Sequence, residues 1–185
     1  RVMLNLIQRL CGIASLSRKY VQLAHYYDVK IFDTRKTTPG LRLFEKYAIA
    51  VGGAYNHRLN LSEGILIKDN HISAAGSISD ALNAVKRSNL HLPLEVEVDN
   101  LDQIHEALII GVDGFLLDNM SPDFIKEAVA IIRNSEGGMD IFIEASGGIT
   151  DENIVSYLNT GINAISVGAL THSATSKDIN LEFIS

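Results

Sequence analysis

Apolar residues fall along this chain in two alternating rhythms. Nearly continuous runs of Ile, Leu, Val and Phe recur at VKIFDTRK (29–36), GILIKDNH (64–71), PLEVEVDN (93–100), GFLLDN (114–119), DIFIEAS (140–146) and NAISVGA (163–169). Such runs are expected of strands covered on both faces. Between them, apolar positions take the spacing of amphipathic helices. Residues 79–88 group Ala81, Leu82 and Val85, and 101–110 group Ile104, Ala107 and Leu108 behind Asn100 as cap. Residues 122–133 open with Ser121 as cap and proline in the first turn, while 151–159 group Ile154, Val155 and Leu158 and stop before Gly161. LRLFEKYAIA follows a Pro39-Gly40 turn, and residues 2–26 read as one long helix or two shorter ones broken near Gly12.

Strand and helix alternating through short connections means parallel βαβ units, either as an open doubly wound sheet or as a barrel. Periodicity does not choose between them; the polar residues favour the barrel. Asp33, Arg35, Lys36, Lys68, Asp69, Glu97, Asp118 and Glu144 all sit at or just past the carboxyl end of a run. In a parallel barrel those ends share one mouth, whereas a doubly wound sheet gathers them at one crevice from fewer strands.

Composition narrows the function classes. With 185 residues and 46% hydrophobic content, the chain can bury one sizeable core, so it reads as a single globular domain and not as a disordered segment. A formal net charge of −6 argues against a general nucleic-acid binder, though a basic pocket can sit within an acidic shell. Cys11 is the only cysteine, which excludes an intrachain disulfide and fits a reducing, cytoplasmic setting. No apolar run approaches the roughly 20 residues that span a bilayer. RVMLNLIQRL is interrupted by Asn5, Gln8 and Arg9, unlike a signal peptide, and the absence of an initiator methionine suggests processing or a piece of a longer chain.

Candidate chemistry clusters at the strand ends. Arg35 and Lys36 can grip a carboxylate or phosphate, Arg in bidentate fashion and Lys as a point charge, although an isolated Arg-Lys pair is usually solvated surface. His57 and Arg58 follow the Gly52-Gly53 pair and can add donors to the same anion. Lys68 ends an apolar run, where burial demands a partner; Asp69 or another strand-end acid is the structural alternative. In EVEVDN the two-residue period puts Glu95, Glu97 and Asp99 on one face, Glu97 being nearer the mouth than Glu95. Glu97 and Asp118, on neighbouring strands, suit Mg²⁺ or sugar hydroxyls, with salt bridges to Lys68 and Arg35 as the plainer reading. EASGGIT and SVGALTHS supply glycine-bearing loops, the first leading into a helix whose free N–H groups would face an anion.

In register, LNLIQRLCGIAS, DTRKTTPGLRLFEKYA, VGGAYNHR, LIKDNHI, EVEVDN, LLDNM, EASGGI and SVGALTHS resemble the quinolinate phosphoribosyltransferase family, also called nicotinate-nucleotide pyrophosphorylase (carboxylating). The resemblance covers essentially the whole chain. It implies an α/β fold, an incomplete (open) TIM-like barrel of parallel strands over residues 1–185, with 1–26 as a leading helical segment and the family's amino-terminal domain absent from this sequence. It implies conversion of quinolinate and phosphoribosyl pyrophosphate (PRPP) to nicotinate mononucleotide, pyrophosphate and CO₂ for NAD synthesis, dependent on Mg²⁺. Arg35, His57, Arg58 and Lys68 would line the quinolinate pocket, with Lys36 near pyrophosphate or carboxylates. Lys68, Glu97 and Asp118 would be catalytic, the two acids holding metal and ribose hydroxyls. Ser146, Gly147, Gly148 and Val167, Gly168, Ala169 would cradle the 5′-phosphate. Family members are homodimers or hexamers in which an arginine from the partner's amino-terminal domain completes the site, so this chain alone would be a poor catalyst. Two rival readings are a related barrel protein encoded beside molybdenum transport genes and a non-catalytic phosphate-binding barrel.

Overall fold

The computed structural model describes residues 1–182. Of the expected 1–185 domain, residues 183–185 lie outside the described residues. Six parallel strands form one sheet: β1 (Lys30–Phe32), β2 (Ile65–Ile67), β3 (Leu94–Val98), β4 (Gly114–Asp118), β5 (Phe142–Ser146) and β6 (Ala164–Ser166). Their order is β1-β6-β5-β4-β3-β2, every pairing parallel. From β2 to β6 each strand is laid beside its predecessor without a reversal of direction, and β1 closes onto β6. That is the winding of a barrel with its opening between the first two strands, not of a doubly wound sheet. At the opening, Tyr55 bridges Phe32 in parallel: its N–H donates to Ile31 O (2.8 Å) and its carbonyl accepts from Asp33 N–H (3.0 Å).

Side-chain parity sorts the strands. On β3, Leu94, Val96 and Val98 are buried, while Glu95 and Glu97 point the other way and remain partly exposed. Phe115, Leu117, Ile143 and Ile165, on the same outward parity in β4, β5 and β6, are each 0% exposed and pack beneath the helices. The helices contribute Ile13, Leu82, Ile104, Ile125 and Ile154, all fully buried. This layer between sheet and helices is the core. The inner parity carries Leu66, Lys68, Glu97, Leu116, Asp118, Glu144, Ser146 and Ser166, so the lumen side chains are mostly polar.

Helix signals worked where caps are local. Asn100 accepts from Gln103 N–H (3.0 Å) ahead of α5 (Leu101–Ile110), and Ser121 accepts from Phe124 N–H (3.4 Å) ahead of α6 (Pro122–Arg133). One open alternative is decided and two expectations change. The first helix, α1 (Val2–Ala24), runs unbroken through Gly12. Glycine is required there because the carboxyl-terminal segment crosses it; a Cβ would lie 2.2 Å from the Thr175 carbonyl oxygen. The run at 64–71 is strand only to Ile67, and α3 (Asp69–Ala75) begins two residues later. After EASGG the chain makes a turn at 151–153, and α7 is only Ile154–Leu158. The remaining helices are α2 (Arg42–Val51), α4 (Ile78–Arg87) and α8 (Ala169–His172), the last within what reads in sequence as a loop. Among the described residues no helix is long and apolar enough to cross a membrane.

Candidate active site

The carboxyl ends of all six strands open into one cavity of about 470 Å³. Arg35, Lys36, His57, Arg58, Lys68, Glu97, Asp118 and Ser146 all line it. Of the residues singled out in the sequence, Gly147, Gly148, Val167, Gly168 and Ala169 lie outside that lining. Gly147 is dictated by packing, since a Cβ on it would lie 2.2 Å from Asn119 Oδ1 and its φ is +85°. Val167 is 2% exposed and its N–H donates to Phe32 O (3.0 Å), so its amide is committed to the sheet and not to a phosphate. The last two loops thus differ from the expected pair of anion cradles. The first lacks a helix at its end, and the second loses one donor to β1.

The loop after β1 is held by buried charge. Glu45 of α2, 0% exposed, accepts from Arg9 Nε (2.8 Å) and Thr38 N–H (3.0 Å). Arg9 also donates to Thr38 Oγ1 (3.0 Å) and to the Thr171 carbonyl (2.9 Å), while Thr171 Oγ1 donates to Lys36 O (2.6 Å). The Arg35–Lys36 loop is therefore tied to α1, α2 and α8 at once. Lys36 lays its stem over Gly168, which joins the first and last loops at the rim.

A second network sets the wall. Asp33 Oδ1 accepts from Lys46 Nζ (2.7 Å) and from the His57 N–H (2.7 Å), and Lys46 Nζ also donates to His57 O (2.9 Å). Burial pushes the Asp33 carboxyl above its ordinary range, and the Lys46 ammonium draws it back. Arg58 donates through Nη1 to the Gly64 carbonyl (2.7 Å). Burial and then the neighbouring Arg35 charge pull the Arg58 guanidinium below its ordinary value, while Glu95 opposes this. Lys68 Nζ pairs with Glu97, and Asp118 Oδ2 accepts from Asn119 Nδ2 (2.5 Å). The plainer reading of Lys68, an ion pair with a strand-end acid, holds together with its place in the cavity.

Two acids left without a role by the sequence reading complete the site. Glu95 Oε2 lies 3.6 Å and Glu144 Oε2 3.4 Å from His57 Nε2, deeper in the lumen than Glu97 and Asp118. Glu95 faces Gly114 across β4, where a Cβ would press to 3.5 Å from Glu95 Cγ. Parity could have found both acids, because Glu95 shares a face with Glu97, and Glu144 with Ser146. Among the described residues, three buried side-chain polar atoms lack a hydrogen-bond partner: Arg35 Nε, Glu95 Oε1 and Glu144 Oε2. All three belong to this cavity or its floor.

Burial opposes a charge on His57, but Glu144 and then Glu95 outweigh it and hold the imidazole pKa up to about 9, from 6.5. Burial likewise pushes Glu144 up. Both shifts describe one retained proton shared by coupled groups. Because the folded value is the higher, the folded state binds more protons between pH 6.5 and about 9. Its stabilisation is therefore complete below that window and lost across it, with a slope of up to about 1.4 kcal/mol per pH unit. Urea unfolding at about pH 6 and about pH 9.5 should give the lower stability at the higher pH, and Glu144→Gln should flatten the difference. Equal pH dependence in both proteins would contradict the shared proton.

Comparison with known proteins agrees with this geometry. The family model described as "Quinolinate phosphoribosyl transferase, C-terminal domain" matches residues 13–182. A probable nicotinate-nucleotide pyrophosphorylase [carboxylating] of Bacillus subtilis is 46% identical over 98% of this chain and 62% of its own length. Quinolinate phosphoribosyltransferase [decarboxylating] 1b of Nicotiana tabacum is 39% identical over 98% of this chain and 55% of its own length. Among solved structures, NadC from Streptococcus pyogenes superposes with a TM-score of 0.87 at 47% identity, covering 96% of this chain and 61% of that one. Nicotinate-nucleotide pyrophosphorylase from Ehrlichia chaffeensis gives a TM-score of 0.90 at 42% identity, covering 96% and 63%. The chain thus spans about 62% of the length of the first of these relatives. With the motifs, the open-barrel winding and the matched domain in accord, this chain belongs to the quinolinate phosphoribosyltransferase family.

Proposed function

We propose that this barrel binds quinolinate and PRPP and transfers the phosphoribosyl group to the pyridine nitrogen with loss of CO₂, giving nicotinate mononucleotide and pyrophosphate for NAD synthesis. The observation that carries this reading is the state of the two arginines. Arg35 and Arg58 repel each other on a part-buried wall, and Arg35 Nε has no partner. A planar dianion relieves both problems, because each guanidinium can take a carboxylate in bidentate fashion. His57 completes that wall as a positioned ring, its Nδ1 accepting the Arg58 N–H at 2.9 Å. Lys68 stands across the cavity as a further cation, and Lys36 at the exposed rim suits the pyrophosphate.

Glu97 and Asp118 are the acids of the mouth, and their hard oxygen donors on adjoining strands fit Mg²⁺ and ribose hydroxyls. Bound there, Mg²⁺ would screen the negative charge of the leaving pyrophosphate. The carboxylates themselves stabilise the positive charge that builds on the sugar as its bond to pyrophosphate lengthens. Ser146 on the lining, with the backbone of Gly147, Gly148, Gly168 and Ala169 beyond it, is the proposed 5′-phosphate side. Assembly as a homodimer or hexamer, with a partner arginine completing the pocket, and a cytoplasmic setting belong to the same proposal.

A thermal-shift series tests it. Quinolinate should raise the melting temperature more than nicotinate at equal concentration, since nicotinate lacks one carboxylate for the two arginines. Equal shifts, or a response to phosphate alone, would favour a phosphate-binding barrel without this chemistry.

A further inference from the structure

The proposed reaction consumes a proton. When quinolinate loses CO₂, the bond from ring C2 to its carboxylate breaks, and the electron pair remains on C2 until a proton replaces the carboxylate. Attachment of the ribose to the adjacent nitrogen makes the ring an electron sink, so this follows glycosyl transfer. Neither Lys68 nor Lys46 is free to serve, being paired with Glu97 and Asp33. Asp118 is at the wet mouth, part exposed.

We infer that Glu144 and His57 hold that proton on the cavity floor and deliver it to C2 of the decarboxylating ring. The inference rests on the proposed function and deepens it. The Arg58 N–H points at His57 Nδ1 from 2.9 Å, so in the neutral ring Nδ1 is the acceptor and the hydrogen sits on Nε2. Nε2–H therefore faces Glu144 Oε2 and Glu95 Oε2 at 3.4 and 3.6 Å. Glu144 is 1% exposed and its Oε2 has no hydrogen-bond partner. A metal ion on Nε2 would require a hydrogen on Nδ1, where the Arg58 amide already points its own, so this cluster is built for a proton. Glu144 is buried where its charged form is poorly solvated, which favours a proton on it.

The groups facing this proton are few. Glu95 approaches from β3, Ser166 from β6, and Asp33 acts on the imidazole from β1 while remaining paired with Lys46. Arg58, whose charge interacts with Glu95, and Lys46, bonded to the His57 carbonyl, are the cations beside it. Delivery leaves Glu144 ionised against His57 Nε2–H. Water entering through the mouth restores the proton after product leaves. The overall step balances: one C–C bond breaks, CO₂ departs, one C–H bond forms and one solvent proton is taken up.

Rapid-quench measurements on the full-length protein separate the two halves of the reaction. In Glu144→Gln, pyrophosphate release should stay near the wild-type rate, while nicotinate mononucleotide formation slows by about 10²–10³-fold. In the wild-type protein, D₂O should slow nucleotide formation and not pyrophosphate release, a readout that needs no variant to fold. Wild-type nucleotide formation in Glu144→Gln, equal slowing of both products with a raised KM for quinolinate, or no isotope effect on the second step would each overturn the inference. A wild-type protein that releases no pyrophosphate from these substrates would instead remove the functional reading and this inference with it.

Discussion

Lys68→Ala is expected to lower kcat/KM for quinolinate by about 10²–10³-fold, corresponding to roughly 3–4 kcal/mol of lost electrostatic stabilisation. The side chain leaves the carboxyl end of β2 on the inner parity and is 43% exposed, so its removal opens no cavity in the core. Two effects reinforce each other. A cation facing the proposed anionic substrates is lost, and Glu97 is left uncompensated in the same wall. An unpaired carboxylate would repel both proposed substrates, which are anions. Lys68→Arg keeps the charge but not the shape, so it should recover only part of the loss. Steady-state kinetics beside circular dichroism checks this; wild-type turnover in a folded Lys68→Ala protein would take Lys68 out of the mechanism.

The largest stability effect is expected at Lys46. Lys46 and Asp33 are 3% and 0% exposed, and their 2.7 Å pair also anchors both the amide and the carbonyl of His57. Lys46→Met leaves a buried carboxylate with only the neutral amides of His57 and Asn56 as donors and should destabilise the fold by about 3–5 kcal/mol. Asp33, already pushed up by burial, would rise further without the ammonium. The deficit should therefore shrink as pH falls and the carboxyl takes a proton in the folded state. Adding Asp33→Asn should restore part of the loss at neutral pH, because no charge is then stranded. Urea unfolding of the two variants checks both points, and a loss below about 1 kcal/mol in Lys46→Met would mean the pair is not coupled to the fold as described.

What the sequence carried legibly was local. All six strands were marked by short runs rich in Ile, Val, Leu and Phe, because the face packed under the helices is fully apolar and polar residues enter only on the lumen side. Asn100 and Ser121 marked helix starts because a cap acts within one turn. Most cavity-lining charges were also legible, since parallel strands put their carboxyl ends at one rim. What was lost depends on distant neighbours. Gly12 resembles a helix break until Thr175 is seen crossing it. Val167 reads as part of a phosphate loop until its amide is found bonded to Phe32. Glu95 and Glu144 belong to strands separated by β4 and come together only in the folded lumen, around His57.

A crystal structure of the protein with quinolinate tests the central claim, that the strand tips make one receptor for a dianion. The account predicts the ring inside the cavity, its carboxylates about 3 Å from the guanidinium groups of Arg35 and Arg58. Quinolinate bound elsewhere on the protein, or seated in the cavity with its carboxylates turned away from both arginines, would contradict it.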